Sequence, residues 1–271
     1  MTLKEAIHLL AVSGVDSPDY DAREIFKHFS GATRVNLLTP DFNSDVPELV
    51  NALKRRANRE PLQYIIGEVG FYREEYKVSP CCLIPRPDTE ILVDYAVNHI
   101  PSGESFADLC CGSGCVGIST LKNTIDTSCL SVDVSDEAVN LTTINATKNG
   151  VQNRIKTAKF DLLADGCNLG GEYYAILSNP PYIPEDVYNG LESEIFHEPK
   201  IAFVGGESGL VFYEKLIPLS LKHLKPDGFV AFEIGYDQAR ALRNLASFNG
   251  CTCEIIKDYS QNDRVAVLKK L

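Results

Sequence analysis

Residues 177–185 read LSNPPYIPE, a β-prone run that ends in one asparagine and then places prolines at 180, 181 and 184. Proline fixes φ and has no N–H to give to a sheet, so Asn179 and the residues after it form a rigid loop at a strand end. Such a loop suits one kind of nucleophile, a nitrogen attached to a flat π-system. An amide or nucleobase NH2 group delocalises its lone pair and carries no useful basicity. A general base gives little help, because the neutral nitrogen must attack before it loses its proton. Positioning helps more. The side-chain oxygen of Asn179 and a backbone carbonyl can accept the two N–H bonds and turn the lone pair toward an electrophile. Pro180 and Pro181 hold that carbonyl rigidly, and orientation of this kind is worth up to about 7–11 kcal/mol. Tyr182 can stack on the planar group, and its ring favours a nearby sulfonium by roughly 0.5–2 kcal/mol.

A second stretch, DLCCGSGCVG (108–117), contains G-x-G-x-x-G as Gly112-Ser113-Gly114-Cys115-Val116-Gly117. After a strand and before a helix, glycines let the backbone approach a ligand at the helix N-terminus. Asp133 follows some twenty residues on, at the end of the next strand, where a carboxylate accepts from ribose hydroxyls. The pair points to a ribose-bearing cofactor, and dinucleotides and S-adenosylmethionine (SAM) share this geometry. A chance glycine-rich turn is the bland alternative, and the strand–turn–helix context speaks against it. Hydride transfer needs none of the parts at 179–182. Together the two stretches favour SAM.

Alternating patterns from residue 88 to 271 must position them. Strands are expected at 105–111, 129–134, 154–160, 173–179, 228–236, 251–259 and 264–270, and helices at 114–122, 136–149, 210–223 and 237–248. Such alternation predicts a doubly wound α/β sheet with helices on both faces. Only residues 260–263 join the last two strands. A parallel crossover needs about a dozen residues, so that pair is antiparallel. A Rossmann-like sheet with an antiparallel terminal strand departs from a plain dinucleotide fold.

Residues 1–60 read as a small helical domain. Leu3, Ile7, Leu10 and Val12 fall near helical spacing, and Ser17 or Asp19, Pro18 and Gly31 punctuate a second helix. A third, from Pro47 to Asn58, buries Leu49, Val50 and Leu53. Residues 61–87 cluster apolar, aromatic and β-branched residues around Gly67 and Gly70, which predicts a β-hairpin or paired extended segments as a connector. Pro85 and Pro87 end it.

A net charge of −11 excludes a protein that coats nucleic acid by charge alone. Lys54, Arg55, Arg56 and Arg59 form the densest basic patch, read as a solvated helix end whose cations complement the dipole. The nine cysteines include two adjacent pairs, Cys81-Cys82 and Cys110-Cys111, and no C-x-x-C. That spacing signals neither a disulfide framework nor a metal site, and predicts reduced, mostly buried thiols. No run approaches the roughly 20 apolar residues of a membrane helix, and the N-terminal stretch lacks a signal-peptide pattern. A cytoplasmic enzyme without a membrane partner is expected.

Asn-Pro-Pro-Tyr after the fourth strand resembles the amino-methyltransferases of planar nitrogen, which include DNA adenine and protein-glutamine enzymes. The longer match is to the PrmC/HemK release-factor glutamine methyltransferases. It is carried by REPLQYIIGEVGFY (59–72), LIPRPDTEILV (83–93), ADLCCGSGCVGIS (107–119), SVDVSDEAVNLTTINA (131–146), ILSNPPYIPE (176–185), EPKIAFVGGESGLVFYEKLI (198–217), FEIGYDQ (232–238) and DRVAVL (263–268). LIPRPDTE and the VGGESGL segment are far more specific than the glycine loop.

The resemblance implies a class I SAM-dependent methyltransferase fold with a helical substrate-binding domain in front. It implies cofactor contacts at Cys110, Cys111, Gly112, Ser113 and Gly114, and at Asp133, Asp161, Leu162 and Asn179. Substrate-amide contacts fall on Asn179, Pro180, Pro181 and Tyr182, with Asn179, Pro180 and Tyr182 in the catalytic role. Three positions depart from the family. Cys110 stands where the loop's first glycine is usual and is expected to fit with a negative φ. Cys111 stands where Thr is usual, and Leu162 where an aromatic often packs on the adenine, with Asp161 beside it for the adenine amino group. Arg86 and Glu90 either shape the site entrance or pair with each other to fix the connector. Glu198-Pro199 and Gly205-Gly206 are placed near the site.

The implied reaction moves a methyl group from SAM, leaving S-adenosylhomocysteine, to the N5 amide nitrogen of glutamine in the Gly-Gly-Gln motif of class I peptide chain release factors. No direct nucleic-acid partner and a monomer are expected. The rival is nucleic-acid adenine N6 methylation, which wants a basic groove and a target-recognition element. A degenerate methyltransferase fold kept as a binding scaffold is the non-enzymatic alternative, and intact Asp133 and Asn-Pro-Pro-Tyr speak against it.

Overall fold

The computed structural model describes residues 1–271, which form two compact units. One comprises residues 1–68 with 192–197, the other residues 69–191 with 198–271.

In the first unit, α1 (Leu3–Val12) is closed by a capping box in which the Thr2 hydroxyl accepts from Glu5 N–H and the Glu5 carboxylate accepts from Thr2 N–H. Helix α2 (Pro18–Ser30) opens on proline and stops at Gly31, whose φ of +65° suits a left-handed cap. Helix α3 (Pro47–Ala57) and the short α4 (Leu62–Ile66) complete the unit. Leu3, Leu10, Ile25, Phe26, Leu49 and Leu53 are fully buried in one core. Two expectations are corrected here. Val12 lies 68% exposed, beyond the buried stripe of α1. Residues 62–66 are helical rather than extended, and Gly67, at φ +82°, caps that helix.

The expected hairpin follows as β1 (Glu68–Phe71) and β2 (Glu74–Lys77). Next comes α5 (Glu90–His99), a helix not anticipated above. All seven expected strands of the second unit form: β3 (Ser105–Leu109), β4 (Ser128–Asp133), β5 (Ile155–Lys159), β6 (Tyr173–Ser178), β7 (Leu224–Glu233), β8 (Cys251–Lys257) and β9 (Asp263–Lys270). Their order is β5-β4-β3-β6-β7-β9-β8, parallel except that β9 runs antiparallel between β7 and β8. The helices between them are α6 (Cys115–Lys122), α7 (Asp136–Lys148), the short α8 (Glu185–Tyr188), α9 (Val211–His223) and α10 (Ala239–Phe248).

Sheet residues alternate between two cores. Phe106, Ala175, Leu177 and Phe229 face one side, and Ala107, Ile176, Val230 and Phe232 the other. This two-sided burial explains the near-continuous apolar runs of the central strands. All nine cysteines are free thiols, none of them exposed.

Candidate active site

A cavity of about 440 Å³ opens where β3, β4 and β6 end. Its size falls within the range of small-molecule sites, and strand ends on either side of a switch in strand order are where α/β sheets bind ligands. Cys110, Cys111, Gly112 and Ser113 line it from β3, Asp133 from β4, Asp161 and Leu162 from the loop after β5, and Asn179 and Pro181 from the loop after β6. Gly114, Pro180 and Tyr182 are not among the lining residues.

The glycine loop is held from behind by α7. Thr142 Oγ1 donates to Gly112 O at 3.0 Å, and Asn145, fully buried, donates to Ser113 O at 2.9 Å and Lys77 O at 3.0 Å. Gly114 opens α6 at φ +80°, where a Cβ would come within 2.7 Å of Thr142 Cγ2. Asp133 accepts from Gly112 N at 2.9 Å on one oxygen and from Ser135 N at 3.0 Å on the other, which keeps its carboxylate aimed at the loop with lone pairs to spare. Cys110 overturns an expectation. Its φ is +57°, in the left-handed region where a Cβ is strained, because the chain turns sharply out of β3 there. That is the physical reason for a glycine at this point of the loop.

Asp108, buried behind the loop, accepts from Gly117 N at 3.0 Å. Desolvation pushes its carboxyl up to about 7 against that hydrogen bond. Gly117 lets α6 lie against it, since a Cβ would sit 2.8 Å from Asp108 Oδ2.

The loop after β6 is fixed at both ends. Ser178 Oγ donates to Leu109 O at 2.6 Å, tying the strand end to β3. Beyond it, Ile183 N donates to Phe203 O at 2.8 Å and Gly205 N returns a bond to Ile183 O at 2.9 Å. Gly205 admits this contact because a Cβ would lie 2.6 Å from Pro181 O. Asn179 Nδ2 donates to Thr89 Oγ1 at 3.1 Å, so its Oδ1 is left for the cavity side. The Tyr182 hydroxyl donates to Glu233 Oε1 at 3.2 Å, and burial raises its pKa.

Several residues of this site carry no functional assignment from the sequence. Thr89 and Glu233 reach Asn179 and Tyr182 only through the fold. Their one signal was membership of the LIPRPDTE and FEIGYDQ segments. Phe160 lines the cavity together with Leu162, so an aromatic is available two residues before the expected position. Arg86 does not pair with Glu90. It pairs with buried Glu198, which also accepts from Ile84 N at 2.8 Å, while Glu90 accepts from Tyr72 N at 2.7 Å. Arg86 and Pro199 line the cavity as well. Three of the four cations of the basic patch are paired, while Lys54 is exposed. Arg55 pairs with Glu60, Arg56 with Asp21 and Glu194, and Arg59 with Glu194.

Residues 2–67 match the PrmC N-terminal domain family, and residues 87–228 match the methyltransferase small domain family. A release factor glutamine methyltransferase of Caulobacter vibrioides is 36% identical over 264 residues, spanning 94% of this chain and 90% of that protein. That of Thermodesulfovibrio yellowstonii is 38% identical over 261 residues, spanning 92% of each. Among solved structures, a methyltransferase from Pyrococcus furiosus aligns with a TM-score of 0.53 at 17% identity, over 72% of this chain and 89% of that one. A ribosomal protein L11 methylase from Lactobacillus delbrueckii subsp. bulgaricus aligns with a TM-score of 0.51 at 23% identity, over 71% and 83%. Both likenesses concern the class I methyltransferase fold. The chain belongs to the release factor glutamine methyltransferase family.

Proposed function

We propose that this chain methylates the side-chain amide nitrogen, N5, of the glutamine in the Gly-Gly-Gln motif of class I peptide chain release factors, with SAM as the methyl donor. The observation that carries the reading is the orientation of Asn179. Its Nδ2 is engaged by Thr89, so its oxygen is the group presented beside a cavity that also holds the Asp133 carboxylate.

The cavity residues fit SAM. The backbone turns at Gly112 and Gly114, both with positive φ, let the chain approach a ligand closely. Asp133 has acceptor capacity for ribose hydroxyls, and Asp161 uses one oxygen on Leu163 N at 3.0 Å. Asp133 and Asp161 against the single Arg86 give the lining an acidic balance that suits a cationic sulfonium. When bound, SAM supplies a methyl group on a positively charged sulfur.

The chain's own residues do the rest. Asn179 Oδ1 and the Pro180 carbonyl accept the two N–H bonds of the glutamine amide and aim its lone pair at the methyl carbon. Pro180 and Pro181 are buried, which keeps those acceptors from wandering. Tyr182, tethered by Glu233, is the ring that stacks on the planar amide in this reading. As the N–C bond forms the methyl–sulfur bond of the donor breaks, the thioether S-adenosylhomocysteine is left, and the now cationic nitrogen gives up one proton to solvent without an enzymic base. The helical unit grips the release factor while the glutamine loop enters the cavity.

Adenine N6 methylation needs the same amino-group chemistry but also a basic groove. Carboxylates take up three of the four cations of the densest basic patch, and no observation favours that reading. The test is incubation with labelled SAM, a release factor, its Gln→Ala form, and DNA. Label is expected on the intact factor alone. Label on DNA, or undiminished label on the Gln→Ala protein, overturns the reading.

A further inference from the structure

An asparagine can serve as an acceptor for a substrate amide only if its side chain is held one way round. Flipped by 180°, it would present N–H groups to N–H groups. The hydroxyl of Thr89 cannot settle this by itself, because it both donates and accepts. Something must take the Thr89 proton, so that its lone pair alone faces Asn179 Nδ2. The group in place is Glu233, at the end of β7.

Glu233 is 2% exposed and Thr89 equally so. One carboxylate oxygen, Oε1, accepts from the Tyr182 hydroxyl at 3.2 Å. The other, Oε2, is buried with no hydrogen-bond partner of its own. The Thr89 hydroxyl interacts with the same carboxyl group and stabilises its charged form. An ionised carboxylate only accepts, so it fixes the sense of every hydroxyl that faces it.

We infer that Glu233 is a positioning residue for the methyl transfer. Its carboxylate draws the Thr89 proton, Thr89 then accepts from Asn179 Nδ2, and Asn179 Oδ1 is thereby committed to the substrate amide. The same carboxylate holds Tyr182 from the other side. Two residues of the Asn-Pro-Pro-Tyr loop are therefore oriented by one buried acid that touches neither substrate nor cofactor. This rests on the proposed glutamine methylation and assigns its acceptor geometry to a specific group.

A consequence separates this role from a merely structural one. Burial pushes the Glu233 carboxyl up to about 7, while Thr89, Arg264 and Tyr182 pull it down and Asp88 pushes it up. Tyr213, from α9, donates to the Glu233 main-chain oxygen at 2.8 Å, and Cys115, from α6, also feels its charge. Protonated Glu233 can donate to Thr89, whose own proton is then free to turn to Asn179 and compete for Oδ1. Turnover should therefore rise with pH through about 7.

The experiment measures kcat and KM for a release factor, SAM affinity by equilibrium dialysis, and the kcat–pH profile, for wild type, Glu233→Gln, Thr89→Val and Thr89→Ser. Glu233→Gln and Thr89→Val are expected to lower kcat by about 10- to 100-fold, the scale of a misplaced reacting group. SAM affinity and KM should move by less than about threefold, and Glu233→Gln should flatten the rise near pH 7. Thr89→Ser, which keeps the hydroxyl, should retain most of kcat. If Glu233→Gln does not fold, the Val/Ser contrast at Thr89 decides. A Glu233→Gln enzyme within twofold of wild type and with the same pH profile, or equal losses in Thr89→Val and Thr89→Ser, overturns the inference. Failure of wild type to label the release factor overturns instead the functional reading beneath it.

Discussion

The side-chain amide of Gln238 donates to the main-chain carbonyl of Tyr182 at 3.0 Å, 56 residues away in sequence. The same nitrogen donates to Gly209 O at 3.3 Å, and Gln238 Oε1 accepts from Gly235 N at 2.9 Å. One side chain thus binds the loop after β6 to the VGGESGL segment and to the end of β7. It also sorts the loop's carbonyls. Tyr182 O is consumed by the protein, whereas Pro180 O, two residues earlier, is the carbonyl proposed above as an acceptor for the substrate amide. Gly209 makes the arrangement possible, because a Cβ there would lie 2.3 Å from Tyr182 O.

Replacing Gln238 by Ala should therefore cost both stability and turnover. It strands buried groups on three segments at about 1–3 kcal/mol for each left unpaired. It also loosens the backbone that carries Pro180 and Tyr182. Urea denaturation and steady-state kinetics on a release factor check this, with kcat expected to fall more than SAM affinity. A variant that is destabilised yet fully active in kcat would show that the clamp is architectural only.

Asn179→Ala removes the oriented acceptor and leaves the glycine loop and Asp133 as they are. SAM affinity is expected to stay within about threefold of wild type. Turnover should fall by about 10²–10³, the scale seen when one preorganised hydrogen-bonding group is deleted from a reaction centre. Single-turnover methylation with saturating SAM measures it, and activity near wild type would remove the orientation mechanism.

Cys110→Gly should stabilise the protein. A left-handed φ costs an L-residue roughly 1–2 kcal/mol, and Cys110 holds one at +57°. Glycine removes that strain but loses more chain entropy on folding, so the net gain is expected to be below about 1 kcal/mol. Cys110→Ala keeps the Cβ and should show no gain, which makes the pair of urea midpoints the measurement. Equal midpoints for both variants would assign the φ no cost.

The sheet was legible in the sequence because its strands are buried on both faces and read as short apolar runs between turn residues. The two chemical stretches were legible because glycine spacing and an Asn-Pro-Pro turn are local signals. What escaped is non-local. Thr89 lies 90 residues from Asn179 and Glu233 lies 51 from Tyr182, and nothing in either segment says which partner the fold will supply. Arg86 shows the same failure in reverse. A carboxylate four residues on suggested a partner, yet Glu198, 112 residues on, is the one the chain brings to it. The helix Glu90–His99 was hidden by its position straight after Pro85 and Pro87, which signalled only the end of the connector. The backbone sign at Cys110 is set by how β3 turns into α6, which side-chain type did not reveal.

Asp108 gives a pH prediction with a definite sign. Its carboxyl is raised from 3.8 in the open chain to about 7 in the fold, by desolvation first. Between those values the folded protein holds a proton that the unfolded chain has released, so this group's contribution to stability falls as pH rises. Asp108→Asn cannot ionise and keeps an oxygen for Gly117 N. Whatever its absolute cost, it should gain on wild type by up to about 1.4 kcal/mol per pH unit across that window and level off above about pH 7. Urea titrations of both proteins from pH 4 to 8 test it, and a constant difference would mean that Asp108 titrates normally.

In the helical unit, Arg56 and Asp21 form an ion pair at 2.7 Å with both side chains 8% exposed, and Arg56 also reaches Glu194 at 3.2 Å. Two charges taken out of water are held by each other, so removing one strands its partner at a cost of about 3–5 kcal/mol. Glu194 is better protected, since Arg59 pairs with it at 2.6 Å. Arg56→Met should therefore destabilise the unit chiefly through Asp21. Asp21→Leu in the same chain should restore most of the loss, because a well-packed apolar pair replaces a buried ionic one without penalty. The measurement is a double-mutant cycle in urea. A coupling energy near zero would mean that water reaches Asp21 once Arg56 is gone, and that the pair contributes no more than a surface salt bridge.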